Sequence, residues 1–197
     1  MNKCMKIKLI IFDLDGTLIK LPIDYDRLRK ELSRKSGLSP DHFIPLLNGV
    51  LKASPRVKVP ELLEIVDRYE LEAVERMWID PKLKDVLLYL KNLGFKLALV
   101  TLQGKKAVDA IIRKLKLKNV FDSIVTREDS YIRKEQIKLI IRSFNVSPEN
   151  VMLVADRRRD MDTAKELGIM GVAIRNPKAD AKYFISTIEE IKNILRF

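Results

Sequence analysis

Short apolar runs alternate with amphipathic helical patterns through the second half of the chain, and this alternation restricts the possible folds more than any other feature. The apolar runs cover residues 95–100, 123–126, 151–155 and 171–174. Strands that alternate with helices in this way form a mainly parallel, doubly wound sheet. The sequence therefore predicts an α/β fold, whose ligand site would lie beyond the carboxyl ends of the strands.

An earlier apolar run, residues 9–12, stops at Asp13. Asp15 follows, Gly16 allows a tight turn, and Thr17 adds a hydroxyl. Two aspartates this close together repel each other unless a cation or a shared proton offsets their charge. Ligand sets made only of oxygen favour Mg²⁺. The stretch predicts a buried strand that leads into a metal site, the alternative being an Asp-Gly turn after a core strand.

Three more polar residues stand where they could join this site. Thr101 and Asp156 each directly follow an apolar run, and Asp160 lies four residues after Asp156. The carboxyl ends of parallel strands share one edge of a sheet, so we expect Thr101 and Asp156 to approach Asp13. On its own Thr101 is a weak signal, because threonine is common at strand ends.

A cation is also expected near this edge. Lys134 lies just before a helical pattern that contains Ile137, and we favour it for that position. Arg127, Arg133 and Lys138 are close rivals in the sequence.

Taken in order, these features resemble the four motifs of the haloacid dehalogenase superfamily, most of whose members are phosphatases. The motifs are Asp-x-Asp-Gly-Thr after a strand, a strand that ends in Thr101, Lys134 at a helix start, and the acids Asp156 and Asp160. The resemblance covers the whole predicted core and implies a Rossmann-like catalytic domain. It also implies a Mg²⁺-dependent enzyme.

The resemblance implies a catalytic role for four residues. Asp13 would attack phosphorus and form an aspartyl-phosphate. Asp15 would protonate the leaving group and then take a proton from water. Thr101 would donate a hydrogen bond to a phosphoryl oxygen, and Lys134 would neutralise charge there.

The resemblance also implies the ligands of the metal. Asp13, Asp156 and the backbone carbonyl of Asp15 would hold Mg²⁺, with water completing the coordination. Asp160 would act through one of those waters.

Two departures from the family pattern occur beside the second acidic pair. Ala155 stands where glycine is usual, and Arg157 stands where serine is common. Arg157, Arg158 and Arg159 form either a cationic rim that attracts anionic substrates or a solvated loop paired with nearby acids.

Residues 19–79 contain three amphipathic helical patterns and no predicted strand. Their place, directly after the first motif, resembles the helical cap of the superfamily in a small version. We therefore predict a catalytic core over residues 1–18 and 80–197 and a helical cap over residues 19–79. The alternative is that these helices pack as part of the core.

Composition narrows the possible partners. The net charge of +11 raises nucleic acid as a partner, but Lys and Arg are scattered over nearly every segment, which disfavours a focused binding face. No apolar run reaches the ~18 residues of a membrane span, and no signal peptide is recognisable. A single cysteine, Cys4, fits a reducing cytoplasm.

The leading hypothesis is a phosphatase similar to phosphoglycolate phosphatase, acting on a small phosphorylated metabolite. A phosphomutase of the same superfamily is the alternative. From another class, a nucleic-acid-binding module with a vestigial site is a third hypothesis.

Overall fold

The computed structural model describes residues 7–53 and 57–195, so Cys4 lies outside the described residues. The strands in chain order are Leu9–Asp13 (β1), Ile19–Lys20 (β2), Trp78–Ile79 (β3), Lys96–Val100 (β4), Ser123–Val125 (β5), Val151–Ala155 (β6), Met170–Ile174 (β7) and Tyr183–Ile185 (β8). Six of them form one sheet in the order β5-β4-β1-β6-β7-β8, and every neighbouring pair in it is parallel. The predicted parallel α/β sheet is confirmed.

Helices cover both faces of this sheet. The α-helices are Tyr25–Ser36 (α1), Leu46–Lys52 (α2), Val59–Glu75 (α3), Leu83–Asn92 (α4), Lys105–Lys114 (α5), Arg133–Phe144 (α6), Arg158–Leu167 (α7) and Ile191–Ile194 (α8). None of those described is long and apolar enough to cross a membrane.

Alternate residues of the central strand β1 belong to two different cores, as the two-residue repeat of a strand requires. Ile10 and Phe12 pack in the core that α4 and α5 cover. Leu9 and Ile11 pack in the core that α6 and α7 cover. Because both faces are covered, the strand is a continuous apolar run and its polar residues are confined to its end.

Residues 19–79, which we call the helical insertion, contain α1, α2 and α3 and a short 3₁₀ helix at Pro40–Phe43. These helices bury an apolar cluster of their own, formed by Leu28, Phe43 and Val66 among others. The end of α3 packs differently, since Ala73 and Val74 belong to the core of the sheet.

The prediction that this segment contains no strand is wrong at its two ends. Ile19–Lys20 and Trp78–Ile79 pair as the antiparallel strands β2 and β3. Strands of two residues are too short to produce a periodic pattern in the sequence, which is why none was expected there. They bring the two ends of the insertion together beside the sheet.

Candidate active site and metal centre

Asp13 is the last residue of β1, which lies between β4 and β6 in the middle of the sheet. Its side chain is 5% exposed, so its charge requires partners. Thr17 Oγ1 donates a hydrogen bond to Asp13 Oδ2 at 3.3 Å. Arg133 Nη2 donates to Asp13 Oδ1 at 2.5 Å.

Asp13, Asp156 and Asp160 form an acidic cluster at this edge of the sheet. One carboxylate oxygen from each lies within 4.8 Å of the other two. Asp156 directly follows β6, and Asp160 lies in the first turn of α7. The fold therefore brings together three acids that are up to 147 positions apart in the chain.

Several oxygens of this cluster are buried without a donor. Within the described ranges, Asp156 Oδ1 and both carboxylate oxygens of Asp160 accept no hydrogen bond, although Arg133 Nε lies 3.2 Å from Asp160 Oδ1. Buried polar atoms of this kind are costly unless another group satisfies them. Carboxylate oxygens are the hard ligands that Mg²⁺ prefers, so these residues fit a divalent cation.

The raised pKa values of two acids in the cluster also indicate a site for a cation. Burial, together with the charges of Asp13 and Asp160, raises the pKa of Asp156 from 3.8 to about 6. Burial likewise raises the pKa of Asp160, although Arg133 opposes the shift. The folded protein therefore concentrates negative charge here that a cation would stabilise.

Gly16 lets the loop after β1 pass close to Asp156. Its φ of +87° lies in the left-handed region that side chains rarely adopt. A Cβ atom at this position would lie 2.3 Å from Asp156 Oδ2, well inside van der Waals contact. A glycine is therefore required for the two acidic segments to meet.

Asp15 lies beside the acidic cluster and lines the same cavity as Asp13. The backbone N–H of Leu21 donates to Asp15 Oδ1 at 2.8 Å, which fixes the side chain. Burial raises the pKa of Asp15, with the charge of Asp13 contributing, while the hydrogen bond from Leu21 opposes the shift. A carboxyl in this position is suited to holding and releasing a proton.

Thr101 stands at the end of β4, beside β1, and is fully buried. Its hydroxyl contacts the side-chain oxygen of Gln103 and accepts a hydrogen bond from the Gln103 backbone N–H at 3.2 Å. The neighbours Leu102 and Gln103 line the cavity. The structure thus places Thr101 at the predicted edge, with its hydroxyl directed to Gln103 instead of Asp13.

The structure does not bring Lys134 to the site. Lys134 Nζ pairs with Glu166 Oε2 at 2.8 Å on the surface, and Arg133 is the cation beside Asp13. Helix α6 begins at Arg133, and successive helical residues point about 100° apart, so the two neighbours cannot face the same way. Arg133 was an alternative to Lys134 in the sequence, but the sequence does not show how α6 is rotated about its own axis.

Two further residues hold the site and were not predicted. The buried Gln136 Nε2 lies within hydrogen-bond distance of the carbonyls of Thr101 at 2.7 Å and Thr126 at 3.0 Å, which fixes α6 against the sheet. Arg175 Nη1 donates to the carbonyls of Gly16 at 3.1 Å and Thr17 at 2.8 Å. Neither residue lies in a recognisable motif, because both contacts form only when distant segments meet.

A cavity of about 600 Å³ lies between the helical insertion and the edge of the sheet. Asp13 and Asp15 form its floor, together with Arg133 and Gln103. The insertion contributes an apolar wall that includes Ile23, Leu28, Phe43, Ile44, Leu46 and Val66. The lining also includes Tyr25 and Arg29 of the insertion and Arg157 and Arg159 of the core.

A buried ion cluster joins the insertion to the core beside this cavity. Arg127, whose side chain is 2% exposed, donates to Glu70 Oε1 at 2.6 Å and also to Asp67, both on α3. The backbone N–H of Gly104 donates to Glu70 Oε2 at 2.9 Å. Helix α3 is therefore fixed to the core by charged contacts, of which the pair of Arg127 with Glu70 is almost fully buried.

Comparison with known proteins places these features in context. The chain is 27% identical over 188 residues to a phosphoglycolate phosphatase from Pseudomonas putida, covering 85% of this chain and 69% of that protein. It is 25% identical over 183 residues to the pyrophosphatase PpaX from Bacillus mycoides, covering 86% and 84%. The crystal structure of a HAD phosphatase from Thermococcus onnurineus superposes with a TM-score of 0.65 at 25% identity, covering 96% and 98%.

The family model of the haloacid dehalogenase-like hydrolases matches residues 10–174, which span the sheet from β1 to the end of β7 and include all three acids of the cluster. With the parallel sheet and the acid-tipped strands already described, this match shows that the chain belongs to the haloacid dehalogenase-like hydrolase family.

Proposed function

We propose that this protein is a Mg²⁺-dependent phosphatase that hydrolyses a small phosphorylated metabolite through an aspartyl-phosphate on Asp13. The observation that carries the proposal is the acidic cluster, in which Asp13, Asp156 and Asp160 converge within 4.8 Å beside a cavity. Asp13 is the only one of the three that also lines the cavity within the described ranges.

Asp13, Asp156 and the backbone carbonyl of Asp15 would hold Mg²⁺, and Asp160 would act through a bound water. The ion would neutralise phosphoryl charge at the site. The unpartnered oxygens of Asp156 and Asp160 support this assignment.

In the first step a carboxylate oxygen of Asp13 attacks phosphorus, and the bond from phosphorus to the leaving oxygen breaks. Asp15 gives its proton to that oxygen. In the second step water attacks the phosphorus of the aspartyl-phosphate while Asp15 takes a proton from it, and Asp13 and phosphate are released. The raised pKa of Asp15 supports the protonated form that the first step requires.

Arg133 takes the role that the sequence suggested for Lys134. Its guanidinium lies at 2.5 Å from Asp13 Oδ1, where it orients the nucleophile and meets the charge of a phosphoryl group bound there. Thr101 keeps a supporting role, since its hydroxyl positions Gln103 at the cavity surface.

The size of the cavity supports a small substrate. A space of about 600 Å³ under a helical insertion admits a metabolite and excludes a folded phosphoprotein. Phosphoglycolate and pyrophosphate are the candidates that the names of the relatives suggest. A cytoplasmic location stays a prediction from the sequence.

The test is phosphate release from phosphoglycolate, pyrophosphate and a panel of sugar phosphates, each with Mg²⁺ and with a chelator. We expect Mg²⁺-dependent release that Asp13→Asn reduces to background while the circular dichroism spectrum stays unchanged. Asp13→Asn protein that still releases phosphate would contradict the proposal.

The phosphomutase alternative predicts a rearranged sugar phosphate instead of free phosphate, which ³¹P NMR of the same reactions would detect. A gel shift at physiological salt would test the nucleic-acid-binding alternative.

A further inference from the structure

More positive charge lines the cavity than one phosphoryl group and its nucleophile require. Arg133 is engaged by Asp13 and Asp160. Arg29, Arg157 and Arg159 line the cavity in addition. Of the acids in the lining, Glu70 is already paired with the buried Arg127, which leaves Asp13 and Asp15 to balance the four arginines.

Arg157 is only weakly engaged by the acids of the site. Its nearest carboxylate contact is from Nε to Asp156 Oδ1 at 3.9 Å, beyond hydrogen-bond distance. Its side chain is 47% exposed and makes no side-chain hydrogen bond within the described ranges. The guanidinium is therefore available to a ligand in the cavity.

The helical insertion presents two donors to the same space. Tyr25 and Arg29 lie four residues apart on α1, on one face of the helix, and both line the cavity. Burial and the charge of Asp15 raise the pKa of Tyr25 to about 12, so its phenol keeps its proton and can donate it in a hydrogen bond. Arg29 is only partly engaged, by the exposed Asp26 of its own helix.

We propose that Arg157 of the core, with Tyr25 and Arg29 of the insertion, forms a subsite for a second anionic group of the phosphorylated substrate. This inference rests on the proposed function and narrows the substrate to a phosphate compound that carries a nearby carboxylate or second phosphate. A guanidinium and a phenol together suit either anion, because both present paired oxygen acceptors.

The sequence supplies a matched control. Arg158 is adjacent to Arg157 and equal in charge, but it is absent from the lining of the cavity. Any effect of overall charge on anion binding would appear in both alanine variants. An effect of the subsite would appear only in Arg157→Ala.

The experiment measures binding of non-hydrolysable phosphonates to the full chain with Mg²⁺ by isothermal titration calorimetry. Phosphonoacetate carries a carboxylate, methylenediphosphonate carries a second phosphonate, and propylphosphonate carries an uncharged tail. We expect at least one of the two compounds with a second anionic group to bind about tenfold tighter than propylphosphonate. The compound that binds more tightly identifies the second group of the substrate.

In Arg157→Ala we expect this preference to fall to about twofold or less, while propylphosphonate binds as in the unchanged protein. Arg158→Ala should keep the preference, and Tyr25→Phe should reduce it. Equal binding of all three phosphonates, or a preference that survives in Arg157→Ala, would overturn the subsite. Because the measurement needs no turnover, a failure of the proposed phosphatase reaction would be seen separately in the phosphate-release assay.

Discussion

Arg133 Nη2 lies 2.5 Å from Asp13 Oδ1, so the cation of this site comes from the first residue of α6. The same guanidinium reaches Asp160, with Nε 3.2 Å from Oδ1. One side chain therefore holds two of the three acids of the cluster in place.

This arrangement predicts unequal effects for two adjacent residues. Arg133→Ala should lower kcat/KM by about 10²-fold or more, because a donor to the reacting groups is lost. Lys134→Ala should change it by less than about twofold, since the Lys134 ammonium pairs with Glu166 on the surface. Steady-state kinetics of the two variants check this, and a larger loss in Lys134→Ala would return the role to Lys134.

Asp156→Asn should stabilise the metal-free protein and remove the stabilisation that Mg²⁺ gives. The folded-state pKa of Asp156, about 6, lies above its ordinary value of 3.8. This carboxyl therefore leaves the free energy of unfolding unchanged below about pH 3.8, where it is protonated in both states. It lowers the free energy of unfolding as the pH rises from there through about 6. At pH 7 without metal, Asp156→Asn should raise the free energy of unfolding by about 1 kcal/mol, a value reduced for solvent screening.

With Mg²⁺ the same variant should lose the increase in Tm that the ion gives the unchanged protein. In the unchanged protein, Mg²⁺ affinity should weaken about tenfold from pH 7 to pH 5, because a proton then competes for Asp156. Calorimetric titrations and thermal melts at both pH values check these signs. A variant that Mg²⁺ stabilises as strongly as the unchanged protein would remove Asp156 from the metal site.

Gly16→Ala should disrupt the metal site, because the added Cβ would lie 2.3 Å from Asp156 Oδ2. We expect loss of activity and of Mg²⁺-dependent stabilisation. Gly94 is a matched control, with the same φ of +87° and, among the residues that the structure describes, no atom within 4 Å of an added Cβ. Gly94→Ala should cost about 1–2 kcal/mol of stability through backbone strain alone and keep Mg²⁺ binding. If Gly16→Ala also kept Mg²⁺ binding, the close approach of Gly16 to Asp156 would not be needed for the metal site.

Arg127→Ala should destabilise the fold by about 3–5 kcal/mol, because it leaves the buried Glu70 without its partner. Lys106→Ala serves as the comparison, since Lys106 pairs with Asp67 at 3.3 Å from an exposed position and should contribute at most about 1 kcal/mol. Chemical denaturation of both variants gives the two free energies. Similar losses would mean that the buried ion cluster contributes no more than a surface pair.

The parts of the site that follow from strand ends could be predicted from the sequence. Asp13, Thr101 and Asp156 each end an apolar run, and parallel strands bring such ends to one edge. The choice between Arg133 and Lys134 could not be predicted, because it depends on the rotation of α6 about its axis. That rotation is set by packing of the whole helix.

The edges of the fold were harder to predict for a related reason. Strands β2 and β3 have only two residues each, which is too few for a periodic pattern. The contacts of Gln136 and Arg175 join segments far apart in the chain, so no local pattern indicates them.

The contacts of Arg127 with α3 hold one part of the cavity wall to the core. Val66 and Glu70 belong to a helix anchored to the core, so that wall should stay stationary relative to Asp13. Ile44, which also lines the cavity, lies in the segment between α1 and α3, and the side-chain hydrogen bonds of Arg127 go to α3 and Leu102. We expect entry of substrate and exit of phosphate to occur by outward displacement of that segment, with faster amide hydrogen exchange over residues 37–52 than over residues 62–74. The rate of product escape would then depend on the first half of the insertion, far in sequence from the residues that carry out the chemistry.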